Sequence, residues 1–186
     1  MKRWLASMLL LWALPVWAIE VAGVNVADKA KLGTAELALN GAGIRTRIVF
    51  KVYVGALYLA EKKSAAAEAM AQKGAKRVAL TLLREMSAQQ LSEALEAGIQ
   101  ANHGAAEFEA LKPRIAELLS LFTDAKKGDV ILLDFLPESG TVVSLNGAAR
   151  GKPIQGEDFY RALLRIWLGD KPVDGDLKKG MLGQAL

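Results

Sequence analysis

One apolar run, Gly43–Leu59, carries Arg45, Arg47, Lys51, Tyr53 and Tyr58, five side chains able to hold an anion. A guanidinium is a planar fork that grips both oxygens of a carboxylate, and a phenol beside it adds a further donor. The intervening residues are β-branched and aromatic, which favours extended backbone. On a sheet with one buried face, each cation either faces water or meets an anion. Two readings of Arg45 follow: it is solvated or paired with an internal acid, or, beneath a helical layer, it clamps an anionic ligand, since a lone buried guanidinium is costly. Tyr53 and Lys51 share the parity of Arg45 along an unbent strand, whereas Arg47 is expected to face solvent. A straight strand from Ile44 to Leu59 would reach roughly 50 Å. A bulge or bend near Gly55 is therefore expected, and it decides which face Tyr58 occupies.

Other chemistry is sparse. His103, the one histidine, stands in Ala-Asn-His-Gly between two predicted helices with no carboxylate motif nearby, and reads as a solvated loop residue. There is no cysteine, no metal-ligand spacing, no glycine loop for phosphate and no Gly-x-Ser-x-Gly elbow. Ser87, Ser92 and Thr141 lack a partner that would activate them. No catalytic residue, metal or cofactor is expected.

The N-terminus reads as an export signal: Lys2 and Arg3, an apolar core from Trp4 to Trp17, and small residues up to Ala18, after which cleavage is expected. The apolar run is short for a membrane span, so no integral span is expected once it is removed. Without Lys2 and Arg3, the 24 basic residues fall to 22 against 20 acidic, a net charge of +2. That surplus is too small to argue for nucleic acid or for an anionic membrane surface. Cleavage after Ala18 leaves residues 19–186 as one domain in an oxidising compartment, a bacterial periplasm.

Strands are predicted over Ile19–Val26, Thr34–Leu39 (with Asn40-Gly41 as a turn), the long run to Leu59, Arg77–Leu83, Val130–Leu136 and Thr141–Leu145, with a short one at Lys152–Ile154 after the Asn146-Gly147 turn. Helices are predicted from Ser64 to Gln72, with Ser64 as cap, from Ser87 with a Ser87/Gln90 capping box, through Phe108–Phe122, from Gly156 to Leu168, and over Asp174–Leu182. Leu91, Leu95 and Ile99 form one stripe, and Phe159, Leu163, Ile166 and Trp167 another, with Trp167 read as plain core. The segregation of strands and helices predicts an α+β fold, an antiparallel sheet covered on one face by helices.

Gly43-Ile-Arg45 with Phe50-Lys-Val-Tyr-Val-Gly-Ala-Leu-Tyr58-Leu, and Asp158-Phe-Tyr-Arg-Ala-Leu-Leu-Arg-Ile-Trp-Leu-Gly169 running on to Pro172, Asp174 and Leu177-Lys178, resemble in combination the bacterial branch of the chalcone isomerase-like family. Lys127-Gly128-Asp129 and Asn146-Gly147 extend the resemblance over nearly the whole chain after the signal. It implies an open-faced β-sandwich of chalcone isomerase type, with an apolar cleft between the large antiparallel sheet and the helices. One branch of the family cyclises chalcones; another binds fatty acids through an arginine and a tyrosine. Arg45 matches the shared arginine and Tyr58 the tyrosine of the acyl-binding branch. Where the isomerases carry a tyrosine and an asparagine on the helix after Ser87, Leu91 and Gly98 stand here, and neither offers a polar side chain.

The reading that follows is a non-catalytic periplasmic binder of a fatty acid or similar amphipathic carboxylate. Arg45 and Tyr58 hold the head group, Lys51 and Tyr53 extend the polar end, and Phe50, Val52, Ile99 and Leu118 line the apolar part. The alternative is an isomerase or lyase on an apolar substrate with Arg45 stabilising an oxyanion. A third is an interaction module whose cleft has collapsed.

Overall fold

A computed structural model describes residues 18–184. All but the last residue of the expected export signal lies outside the described residues. Seven antiparallel strands form one sheet in sequence order: β3 (Lys29–Leu32), β4 (Ala35–Arg47), β5 (Phe50–Leu59), β6 (Lys76–Leu82), β7 (Val130–Leu136), β8 (Gly140–Leu145) and β9 (Ala148–Ile154). A separate hairpin, β1 (Ala18–Val21) and β2 (Val24–Ala27), has its own two-stranded pairing. Helices α1 (Ala66–Ala71), α2 (Ala88–Ala101), α3 (Ala105–Leu119), α4 (Glu157–Leu168) and α5 (Gly175–Met181) complete the fold.

The sheet is apolar on both faces near β4 and β5. On the helical face, Leu57, Leu59, Val78 and Leu80 pack with Leu95, Ile99, Ile115, Phe159 and Trp167. On the other face, Leu37, Leu39, Val54, Ala56 and Tyr58 are covered by residues such as Val26 from the small hairpin. β6 shows the cause in its pattern: residues buried on the helical side alternate with half-buried ones.

Several signals behave as their chemistry dictates. Ser87 Oγ accepts from Gln90 N at 3.2 Å and Gln90 Oε1 from Ser87 N at 3.1 Å, a complete capping box opening α2. Asn146 (φ 51°) and Gly147 (φ 81°) turn β8 into β9. Glu157 and Asp158 occupy the first turn of α4.

Four expectations are corrected. The run from Ile44 to Leu59 is a tight hairpin rather than one bent strand, because β4 reverses into β5 at Ile48-Val49. Ile19–Val26 is likewise two strands, folded at Ala22-Gly23, where both φ angles are positive. Asn40-Gly41 is a bulge inside β4, not a turn. There Asn40 Nδ2 donates to Met181 O (2.7 Å) and Lys63 O (3.0 Å), while its Oδ1 accepts from Lys63 N (2.6 Å). Ser64 does not cap α1, whose N-cap is Ala65 with no side-chain cap bond.

The bulge also shapes the site. Gly41, and the cross-strand pair Gly43 and Gly55, clear the helical face so that α5 lies directly on the backbone of β4 and β5. A Cβ at Gly43 would stand 3.2 Å from Leu177 Cα, and one at Gly41 would overlap the carbonyl oxygen of Gly180. Gly41→Ala should therefore destabilise the fold by about 2 kcal/mol, the cost of overpacking against backbone that cannot turn aside. The measurement is a urea titration, in which the midpoint falls with the slope unchanged.

Candidate functional site

Arg45 lies near the end of β4 and pairs directly with Tyr53 of β5, so both side chains point to the helical face. The guanidinium carbon stands 5.7 Å from the centre of the Tyr53 ring. Three other arginines have acids, Arg77 with Asp134, Arg114 with Asp158 and Arg165 with Glu107, while Arg47, Arg84, Arg150 and Arg161 form no such pair among the described residues. Arg45 has no such partner among the described residues, and its Nε is buried with no hydrogen bond. Asp174, a nearby acid, is engaged otherwise: it accepts from Thr46 N at 2.9 Å and caps α5 through Asp176 N and Leu177 N.

Tyr53 is held from the other side. The indole Nε1–H of Trp167, on α4, donates to the Tyr53 hydroxyl at 2.8 Å. That contact uses the oxygen as acceptor and leaves the phenolic proton without an acceptor among the described residues. Burial pushes the Tyr53 phenol above its usual pKa, while Arg45 beside it and the bond from Trp167 pull the other way. At neutral pH the phenol is protonated; it lines a narrow buried slot with Arg45, and Arg45 also borders a larger, open space.

That space is a cleft of about 840 Å³ between the β4–β5 hairpin, α2 and the 171–173 segment. Small residues of α2, Ala94, Ala97, Gly98 and Ala101, form one wall; Val52 and Val173 face them. Arg47, Arg84 and Lys171 line the cleft with Arg45, against one acid, Glu93. Asn102 fixes the Lys171 side, donating to its carbonyl at 2.8 Å and accepting from its amide at 2.9 Å. Behind Arg45 and Tyr53 a narrow apolar slot lined by Leu91, Leu95, Phe122, Ile131 and Leu133 has a free volume of only about 20 Å³, enough for roughly one water.

Not all of the expected site residues meet. Tyr58 is corrected: it lies on the opposite face of the sheet, its hydroxyl donating to Ala27 O at 3.0 Å. β5 runs regularly through Gly55, so residues 53 and 58, an odd number apart, face opposite ways. The bulge lies instead at Val52, where Lys51 pairs with Thr46 and Tyr53 with Arg45. Lys51 is exposed on the hairpin and does not line the cleft. Phe50 and Val52 do line it, whereas Ile99 and Leu118 are ordinary core. Arg47 is exposed as expected, yet it forms part of the cleft mouth. The His103 side chain is fully buried rather than solvated, its Nδ1 2.7 Å from Ile99 O. Trp167 is core, as expected, but its N–H is the handle that sets Tyr53. The missed signal was the small stripe at residues 94, 97, 98 and 101, which marks a helix face too shallow to fill the space before it.

The Chalcone isomerase-like family profile matches residues 18–183. The chain belongs to the chalcone isomerase-like family. Among solved structures, a fatty-acid binding protein of Arabidopsis thaliana superposes with a TM-score of 0.70 at 13% identity, covering 89% of this chain and 96% of that one. This likeness is one of fold, a curled antiparallel sheet with helices on it. No curated protein matches the sequence significantly. Leu91 and Gly98, expected where isomerases of the family carry polar groups, both face the cleft system, Leu91 in the slot and Gly98 in the α2 wall. Gly98 has a packing reason too, since a Cβ there would stand 2.8 Å from Ile166 Cγ2.

The three tyrosines of the chain all have phenols raised above the usual value: Tyr53 and Tyr58 by burial, Tyr160 well above it by burial with Asp134 adding. The unfolded chain loses these protons from about pH 10. Above that point the unfolded state binds fewer protons than the native one, so stability falls as pH rises through the raised folded values, and is unaffected by these groups below it. In an alkaline titration, phenolate absorbance should stay flat to about pH 10 and then appear in step with loss of the native circular dichroism signal. A phenol titrating in still-folded protein would contradict the burial.

Proposed function

We propose that this protein binds a fatty acid or similar amphipathic carboxylate in the cleft between sheet and helices, with the carboxylate on Arg45 and Tyr53. One observation carries the reading: among the described residues Arg45 has no acid partner and lines an open cleft, while Tyr53, whose phenolic proton has no acceptor there, lines with Arg45 the narrow slot that adjoins it. A carboxylate accepts from both at once, and such charge-assisted bonds are the stronger kind. The cleft volume falls in the range usual for small-molecule sites. Because the slot behind Tyr53 is nearly closed, the acyl chain runs outward along Val52, Ala94, Ala97, Ala101 and Val173.

The fold shared with a fatty-acid binding protein supports this reading, as does the apolar character of Leu91 and Gly98. The ligand is held rather than transformed. We place the binding in a bacterial periplasm, a reading that rests on the N-terminal sequence; cell fractionation of the expressed full chain tests it.

The test of binding is native mass spectrometry on protein purified without delipidation, followed by titration with lauric or palmitic acid. Arg45→Ala should weaken binding by about tenfold to a hundredfold, and Tyr53→Phe by about fivefold, in keeping with one charged and one neutral hydrogen bond. Tyr58→Phe should leave affinity unchanged, because its hydroxyl is spent on Ala27 across the sheet. Absence of any acyl ligand, or an Arg45→Ala variant that binds as the parent does, would overturn the reading.

A further inference from the structure

At the lip of the cleft the chain exposes what it buries elsewhere. Ile48, Val49 and Phe50 are consecutive at the tip of the β4–β5 hairpin and 88%, 76% and 59% exposed. Ile48 also holds a left-handed backbone, φ 59°, at a position where a β-branched residue is an outlier and glycine or asparagine is the ordinary choice. The tip thus departs from local preference twice, in conformation and in polarity. Departures of this kind mark positions where something other than stability is served.

The surroundings indicate what. Arg47 and Lys51 flank the tip in sequence, Arg84 lies 5.8 Å from the Phe50 ring, and Lys171 stands on the same cleft. Glu93 is the acid that lines the cleft, and Asp174 reaches the hairpin at Thr46 N. Among the described residues Ile48, Val49 and Phe50 are the consecutive large exposed apolar side chains, and Arg47, Lys51 and Arg84 stand beside them.

We propose that the hairpin tip docks on an anionic lipid bilayer: Ile48, Val49 and Phe50 enter the boundary between head groups and acyl chains, and Arg47, Lys51, Arg84 and Lys171 meet the anionic head groups. Apolar side chains ringed by long basic ones suit that boundary, where stems lie in the apolar layer and charges in the polar one. A second copy of this chain is the poorer occupant, since two cationic rims would face each other. Arg47, Ile48, Phe50, Arg84 and Lys171 also line the cleft, so docking turns its mouth toward the membrane. The inference stands on the tip alone and does not depend on the identity of the cleft's ligand.

The chain has no cysteine, so Val49→Cys can carry a single environment-sensitive nitrobenzoxadiazole label. Glu138→Cys, in the β7–β8 turn at the opposite end of the sheet, is the matched control. With protein recovered from cells expressing the full chain, and vesicles of phosphatidylglycerol and phosphatidylcholine, the label at 49 should brighten and shift to the blue while the label at 138 stays unchanged. The unlabelled Ile48→Ser/Phe50→Ser variant should lose vesicle co-sedimentation by about tenfold or more with its thermal midpoint retained. Arg84→Glu should lose roughly fivefold or more, and added salt should weaken the parent. Pure phosphatidylcholine should bind it poorly. An unshifted label at 49, a shift at 138 as large as at 49, or equal binding by the double variant would overturn the proposal. So would a concentration-dependent dimer in the absence of lipid that the double variant abolishes, which would assign the tip to a second copy.

Discussion

Between Thr46–Lys51 and Arg45–Tyr53, β5 contributes one more residue than β4, and Val52 is the surplus. In an antiparallel ladder, residues directly opposite share a face, so this single insertion decides what stands beside Arg45. Without it Arg45 would face Val52, and the Tyr53 hydroxyl would point to the other side of the sheet. With it a guanidinium and a phenol meet on the helical side, while Val52 remains in the same apolar cluster. A second surplus residue, Asn40 on β4, restores the register further along, so that Leu39 and Tyr58 pair on the far face. The two bulges together set Arg45 and Tyr53 on one side of the strand pair and Leu39 and Tyr58 on the other.

The same geometry explains why the floor of the cleft is held firmly. Glycines opposite one another on β4 and β5 admit Leu177 of α5 against the sheet, and the cap of α5, Asp174, reaches back to Thr46 N beside Arg45. Trp167 descends from α4 onto Tyr53. Tyr53 is thus set by a neighbour that is itself buried, as a donor oriented before a ligand arrives must be. The site contains donors and little else: the one acid lining the cleft, Glu93, is exposed and accepts from Gln89.

What the sequence showed well is what depends on neighbours in the chain. The capping box at Ser87, the Asn146-Gly147 turn and the stripe of α4 are local signals, and each produced its element. Arg45 was legible because a guanidinium in an apolar run demands explanation wherever it lies. The hairpin was not legible, because Ile48 and Val49 are strand formers by propensity and the turn they make runs against that propensity. With the reversal unseen, the run reads as one overlong strand with a bulge near Gly55, and the family resemblance sets Tyr58 beside Arg45, where of these two tyrosines only Tyr53 stands. A register is a property of two strands, and β5 alone does not contain it.

An unpaired arginine beneath a helical layer carries a desolvation cost that the protein does not recover from any internal acid. An anionic ligand removes that cost, so part of the ligand's interaction energy appears as added stability of the folded state. The cleft floor is therefore one place where a polar atom of the fold lacks a partner of its own. The hairpin tip is a second such place, holding apolar side chains in water and a β-branched residue at positive φ. The two lie on one strand pair, a few residues apart, with Arg47 between them. A surface that relieved the tip would thereby lie at the mouth of the cavity in which an anionic ligand would relieve the floor.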